Sequence, residues 1–487
     1  GNGQLGPTWL AGTIAPGHSI GRLTIAGDYV QQPGSVYEAE VDPSGRSDLL
    51  QVQGRAHLQG GTLRLVPTSA GALLGQRWRV LAAHNVEGRF AAVEGALASP
   101  FLAFAARYEG NAIQAQVGRG LPLASAARTR NQRGVAGAVD HTPDGHVLPQ
   151  RLTQLQPAQV PAALDAVSGE LHASVRTLLL QDTQGPREAA LARARHGQDA
   201  FTAQSAAGRG HGLWADVRQD QHRLDGDGNA GSARLSGSTA LVGYDQAFDS
   251  GWQAGLFGGG GKRTAQLSAR YDRAEIKATH AGLHVSQRWG QLGVRAGLVH
   301  SWQQVRSRRQ VPEAGQAEDT AAQARYEVNT SQWFVELGYR WEHARGGIEP
   351  FLQYTGLRLR SDAAQEQGGQ AALAVATAKQ AVGQWSGGLR FGFDLAARGQ
   401  VQDWLSLRGS LAYQQANGDL TPSAQMQWQQ GPGFTVWGAP LAKHSTLASL
   451  GVAARLSENS LLELNWHGAF ASHARDNSLG LRYSMRF

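Results

Sequence analysis

The 487-residue chain contains no cysteine, which excludes a disulfide framework, a thiolate metal site and any cysteine nucleophile. Charged residues are sparse at 17%. No run reaches the roughly 18 consecutive apolar residues of a membrane helix, so inner-membrane insertion by helices is not expected. The first residue is Gly, and no charged and apolar leader follows it. The expectation is a piece of a longer precursor with its signal upstream. No HExxH pairing occurs among the 16 histidines. The formal net charge is +7, but the Arg and Lys are scattered without an aromatic-interleaved recognition motif. Nucleic acid is therefore not an expected partner.

Glycine is abundant, at 63 residues, and mean hydropathy is −0.34. This profile suits a glycine-punctuated all-β protein, and the length calls for at least two units. Residues 1–118 read as short strands cut by Gly, Pro and Asp, such as Arg22-Leu-Thr-Ile-Ala26, Ser35 to Val41, Leu49 to Val52 and Thr62 to Val66. Short repeated strands suggest the stacked coils of a β-helix. Trp78, Val80, Phe90, Phe101 and Phe104 supply the apolar cap that an open solenoid end needs. Residues 119–160 are polar and small, with prolines at 122, 143, 149 and 157, and read as a linker with short helices. Residues 161–205 change period. Leu164, Val167, Leu171, Val175 and Leu178 recur at helical spacing, and Pro161 suits a first turn. Gly185-Pro186 breaks the helix or starts a second piece, Arg187 to His196, which is mostly Ala and Arg. Such a slim helix suits a narrow polar channel.

Residues 206–487 alternate apolar and polar with a period of two, the mark of strands with two unlike faces. Trp333, Val335, Leu337, Tyr339 and Trp341 oppose Phe334, Glu336, Gly338 and Arg340. Leu405, Leu407, Leu411 and Tyr413 oppose Ser406, Arg408, Ser410 and Ala412. Leu462, Leu464, Trp466 and Phe470 oppose Glu463, Asn465 and His467. About a dozen such strands follow one another. Tight turns fall at Phe248 to Gly251, Trp289 to Gln291, His343 to Gly347, Ala397 to Gln400 and Ser457 to Ser460. Long loops fall near 219–232, 308–322, 361–378 and 416–443. Short turns on one side and long loops on the other indicate an outer-membrane barrel. Trp252, Trp289, Trp341 and Trp404 sit by the tight turns as one aromatic girdle. An even strand count puts both barrel ends on that side, so a helix entering the barrel must pass through the lumen for residues 1–118 to lie outside. Glu336, Arg340, Arg408, Glu463 and Arg482 fall on the inward face as lumen-lining candidates.

Three motifs look chemical and fail. Gly17-His-Ser-Ile-Gly21 fits the G-x-S-x-G elbow, but strand-like residues follow it where a helix is required. Gly255 to Lys262 resembles a phosphate loop, yet Leu256 stands at its first glycine and Arg263 at its magnesium-binding position. Its glycines suit a bent barrel strand or a close helix. Asp225-Gly-Asp-Gly-Asn229 begins like a calcium loop, but Ala230 and Ser236 occupy the Gly and Glu positions. No cofactor and no metal are expected.

The order of these pieces resembles the type V autotransporter family. Gly12 to Ile25 is similar to the passenger rung near the end of its β-helices. Leu164 to Val175 is similar to the segment before its pore helix, and Tyr483-Ser-Met-Arg-Phe487 to its terminal aromatic signal. The resemblance implies a twelve-stranded barrel containing an α-helix, preceded by a short, autochaperone-like β-helix segment at 1–118. It implies a pore helix carrying Leu164, Leu171, Arg187, Arg193 and Arg195, and an assembly signal at Tyr483, Met485 and Phe487. It implies a barrel in the bacterial outer membrane with residues 1–118 on the cell surface. The implied partners are outer-membrane lipid and lipopolysaccharide, the barrel assembly machinery, periplasmic chaperones and the chain's own passenger. Residues 157–210 contain no Asn, a departure from the subgroup that cuts its passenger by Asn cyclisation. The expected function is translocation and display of an N-terminal passenger, with no catalysis in this fragment. The alternatives are a subtilisin-like protease or esterase domain upstream, or an adhesin passenger.

Overall fold

The structure is a computed structural model describing residues 1–196, 211–267, 272–311, 320–343, 346–398 and 401–487. The chain divides into two compact units, Gly1–Val167 with Gln430–Pro432, and Ser168–Gln429 with Gly433–Phe487.

The first unit is built on a parallel solenoid. Successive coils add one strand to each of three sheets, as in Gly3–Leu5, Arg22–Ile25, Leu49–Val52 and Arg77–Ala82 on one face. Like residues stack in register: Leu23 sits on Leu50, and Leu50 on Leu81. Each strand buries alternate side chains, so no rung has a core of its own and each is covered by its neighbours. Trp78 is buried and donates its indole N–H to the Asp42 carbonyl at 2.8 Å. The antiparallel hairpin Leu102–Glu109 and Ala112–Arg119 pairs with Arg77–Ala82 and ends the parallel stacking. Asp48 is buried and accepts from the backbone N–H of Gly21 and Glu40 at 2.7 and 2.8 Å; burial pushes its carboxyl up.

The short helices expected in the linker are present, and they are packed. The helices Arg130–Asp140 (α1), Val147–Leu152 (α2) and Val160–Val167 (α3) bury Val135, Val139, Leu148, Leu152 and Leu164. Thr129 and Gln132 form a capping box at the start of α1. The glutamines that make the segment look polar are its fasteners. Gln150 donates to the Leu74 carbonyl, Gln154 to Ala72 and Gln156 to Ala98, at 2.5–2.9 Å. The first compact unit accordingly extends through α3 to Val167. Gly169, at φ +70°, interrupts the helix expected to run continuously from Pro161.

The second unit is a closed antiparallel meander. Its twelve strands among the described residues, numbered from the start of the barrel, are His211–Leu224 (β1), Ala233–Ala247 (β2), Gln253–Leu267 (β3), Arg273–Trp289 (β4), Leu292–Val311 (β5), Thr320–Tyr339 continued by Trp341–His343 (β6), Gly346–Ser361 (β7), Ala378–Arg398 (β8), Val401–Gly418 (β9), His444–Ser457 (β10), Ser460–Phe470 (β11) and Ala474–Arg486 (β12). The pairing of β12 with β1 closes the sheet and removes every edge, as lipid requires.

The outward face carries Leu213, Val242, Leu298, Leu352 and Leu464, all exposed, while the alternate positions are buried inside. Trp252, Trp289 and Trp341 form the girdle at the tight-turn end. A second ring, unforeseen in the sequence, comprises Trp302, Trp333, Tyr354, Trp385 and Tyr413.

The expected loop at 219–232 is strand as far as Leu224, and that at 308–322 is strand to Val311 and from Thr320; residues 312–319 lie outside the described residues. So do 344–345 and 399–400 of two expected tight turns, and 197–210 after the lumen helix. The other two long loops build a small sheet of their own, Ala364–Gln365, Leu373–Val375, Ser423–Trp428 and Gly433–Trp437.

Candidate functional site: the helix-filled barrel lumen

Two helices occupy the lumen, Leu171–Asp182 (α4) and Gln184–His196 (α5). Every residue of α4 is buried. On α5, the small side chains Ala189 and Ala190, with Leu191, pack against Trp214, Leu241, Phe257, Val299 and Phe334 of the barrel wall. Alanine lets the helix backbone approach the wall, and the large residues come from the wall instead. Phe257 flanks the glycine run of β3, so Gly255 to Lys262 is paired strand. Gly17 to Gly21 is a turn between solenoid strands, and Asp227 caps its own loop by accepting from the Asn229 and Ala230 N–H groups at 2.9 and 2.7 Å.

The helix pair has a fixed direction. Its start meets the long loops: Glu170 accepts from the Gly231 N–H at 2.7 Å, and His172 lies 2.8 Å from Glu366. Its end meets the tight-turn half: Arg193 bonds Asp245 of β2 at 2.7 Å, and Arg195 bonds Glu336 of β6 at 2.6 and 3.0 Å. The loop sheet grips α4 from above. Arg176 donates to the Ser423 carbonyl and Thr177 to the Ala439 carbonyl, both at 2.6 Å. Gly438 permits this grip, because a Cβ there would lie 2.6 Å from the Ser174 nitrogen.

Buried charge is neutralised in clusters. Glu336 accepts from Arg195 of the helix and from Arg295 and Arg390 of the wall, and Glu349 joins the same two wall arginines at 2.6–2.7 Å. Asp182 of α4 binds Arg263 at 2.7 Å, and Arg218 donates to the Gly185 carbonyl at 2.7 Å. Arg482 binds Asp216 at 2.8 Å, and Glu463 receives Arg408 at 3.2 Å. Charges buried in this way are tolerated only when paired and hydrogen-bonded.

Of the residues expected on the pore helix, Leu171, Arg187, Arg193 and Arg195 lie on α4 and α5, with Arg187 donating to Gln332 at 3.3 Å. Leu164 does not: it is on α3 in the first unit, cut off by the Gly169 break. Glu336, Arg340, Arg408, Glu463 and Arg482 all take inward positions, and Glu336 forms an ion pair with Arg195 of the helix. Tyr483, Met485 and Phe487 face outward on and just after β12. Asp182, Asp245, Arg263, Arg295, Glu349 and Arg390 were missed. Their signal was present for the barrel members: each is a charge at the inward parity of its strand.

Residues 213–467, just over half of the chain, match the family described as the autotransporter beta-domain. The chain belongs to the autotransporter family. Its barrel is therefore the translocator of an outer-membrane protein that carries its passenger to the cell surface. Two extracellular serine proteases of Serratia marcescens are 27% and 26% identical over 98% and 97% of this autotransporter chain. The chain spans about half the length of these curated relatives, 50% and 49%. Among solved structures, the translocator domain of the autotransporter NalP from Neisseria meningitidis is 15% identical, with a TM-score of 0.49 over 65% of this chain and 99% of that one.

Proposed function

We propose that α4 and α5 are the tether that fills the autotransporter barrel after transport, and that the solenoid of residues 1–118 is the end of the passenger. The observation that carries this reading is the direction of the lumen helix. With α4 at the long-loop end, the chain before Ser168 leaves the barrel on the outer side. Coils of the solenoid that form outside cannot slide back through a lumen wide enough for one helix, so rung stacking gives export its direction without ATP. Leu171, Arg187, Arg193 and Arg195 hold the helix, with Glu336 as its principal anchor. The outward Tyr483, Met485 and Phe487 are the signal for the barrel assembly machinery, with periplasmic chaperones acting before insertion. The passenger is a serine protease, a reading supported by the Serratia relatives, of whose length this chain spans about half.

The test is protease treatment of intact cells expressing the precursor. The expected result is digestion of residues 1–118, with a barrel fragment beginning near Ser168 protected. Protection of residues 1–118 from added protease would refute the reading.

A further inference from the structure

The net charge of +7 is unevenly placed. Along β5 the outward residues run Leu292, Val294, Ala296, Leu298, His300 and Trp302, and then change to Gln304, Arg306 and Arg308. Ten residues separate Leu292 from Trp302, which at about 3.4 Å per residue and a tilt near 40° spans about 25 Å, the height of an outer-membrane apolar band. The arginines stand directly above it. The same change occurs on β7, where Tyr354 and Gly356 give way to Arg358 and Arg360, and on β4, where Thr279 gives way to Lys277.

The register places these cations side by side. On the β3–β6 arc, Lys262 faces Lys277, Arg273 faces Arg308, and Arg306 faces Arg325. Elsewhere Arg360 faces Lys379, and Arg223 faces both Arg234 and Arg475. Like charges directly opposed across a pair of strands are destabilising. The outward carboxylates of the β3–β6 arc among the described residues are Glu275 and Glu327, too few to balance it. Opposed cations just beyond the apolar stretch of several strand pairs make a surface suited to a layer of fixed anions.

We propose that this belt binds the phosphate groups of lipid A in the outer leaflet, each phosphate bridging two opposed cations. A phosphate offers several acceptor oxygens to two guanidiniums at once, which turns each repulsive pair into a clamp. The belt thereby fixes the depth of the barrel and orders the strand ends that carry the long loops. The proposal rests on the outer-membrane placement of the barrel.

The test uses the full chain refolded in neutral detergent, with thermal unfolding followed by loss of the compact, fast-migrating band in gels. Bisphosphorylated lipid A, dephosphorylated lipid A, phosphatidylglycerol and inorganic phosphate are titrated separately. For the wild type, bisphosphorylated lipid A is expected to raise the midpoint, and the other three to raise it much less. The triple variant R306Q/R308Q/R325Q is expected to lose most of that rise. In detergent alone it is expected to match or exceed the wild type, because two repulsive pairs, Arg306 with Arg325 and Arg273 with Arg308, are gone. The variant R358Q/R360Q/K379Q repeats the test on another arc, should the first not fold. Equal rises in wild type and variants, or an equal rise with dephosphorylated lipid A, phosphatidylglycerol or free phosphate, overturns the proposal. A barrel that does not insert shows no compact band under any condition, which separates failure of the placement from failure of the belt.

Discussion

Glu336→Gln is the sharpest perturbation of the lumen. Glu336 is fully buried and shared by Arg195, Arg295 and Arg390. Arg295 and Arg390 keep Glu349, whereas among the described residues Arg195 keeps only Glu188, at 3.5 Å. The loss therefore falls mainly on the helix. Removing one partner of a buried ion pair costs about 3–5 kcal/mol. At about 1.4 kcal/mol per factor of ten, the population of undocked helix rises by roughly 100-fold to 1,000-fold or more. The absence of cysteine gives a clean reporter, because a single Ala190→Cys substitution places one thiol on the face packed against the wall. Its labelling rate by a small maleimide in the refolded barrel follows the undocked population. The rate is expected to rise by that factor in Glu336→Gln, and by little more when Arg195→Ala is added. An unchanged rate, or two full and additive increments, would show that the ion pair does not hold the helix.

In the solenoid, Trp78→Ala removes a buried indole and the hydrogen bond to Asp42, and is expected to cost about 3–5 kcal/mol. Urea unfolding of the first unit, followed by its protease sensitivity, is the measurement; a midpoint equal to the wild type contradicts the core assignment. Asp42 gives a pH dependence. The Ser44 side chain and N–H and the Thr68 hydroxyl hold its carboxyl down from 3.8 to about 2. Its contribution is thus fully present above pH 4 and is lost as pH falls toward 2. Asp42→Asn is expected to flatten the stability profile of the solenoid between pH 4 and 2, and an unaltered slope there counts against the assignment.

The barrel was legible in the sequence because strand parity and turn length are local signals. Trp333 and Glu336 declare opposite faces without reference to any other strand. The partners of the helix were not legible. That Arg195 meets Glu336, or Arg193 meets Asp245, depends on the depth at which the helix stops in the lumen, and no window of sequence contains it. The small sheet from 364–375 and 423–437 was read as loop because its strands are short and find their partners across two connections. Residues 119–160 were legible as short helices, but their packing was not. Composition marks the segment as polar and small, and does not show that Gln150, Gln154 and Gln156 spend their amides on solenoid carbonyls.

The seam between β1 and β12 also sets a timetable. Gly212 pairs with Arg486, 274 positions later, while every other neighbouring pair in the barrel is joined by a local connection. Hairpins zip in microseconds, but a contact between such distant positions bears the greatest loop-closure entropy in the sheet. Closure is therefore expected to be the last event of barrel folding. Until it happens the cylinder is a curled ribbon with two unsatisfied edges, open along one side. A bulky segment can lie in that gap and be enclosed when the edges meet, so it need not be threaded through a finished hole.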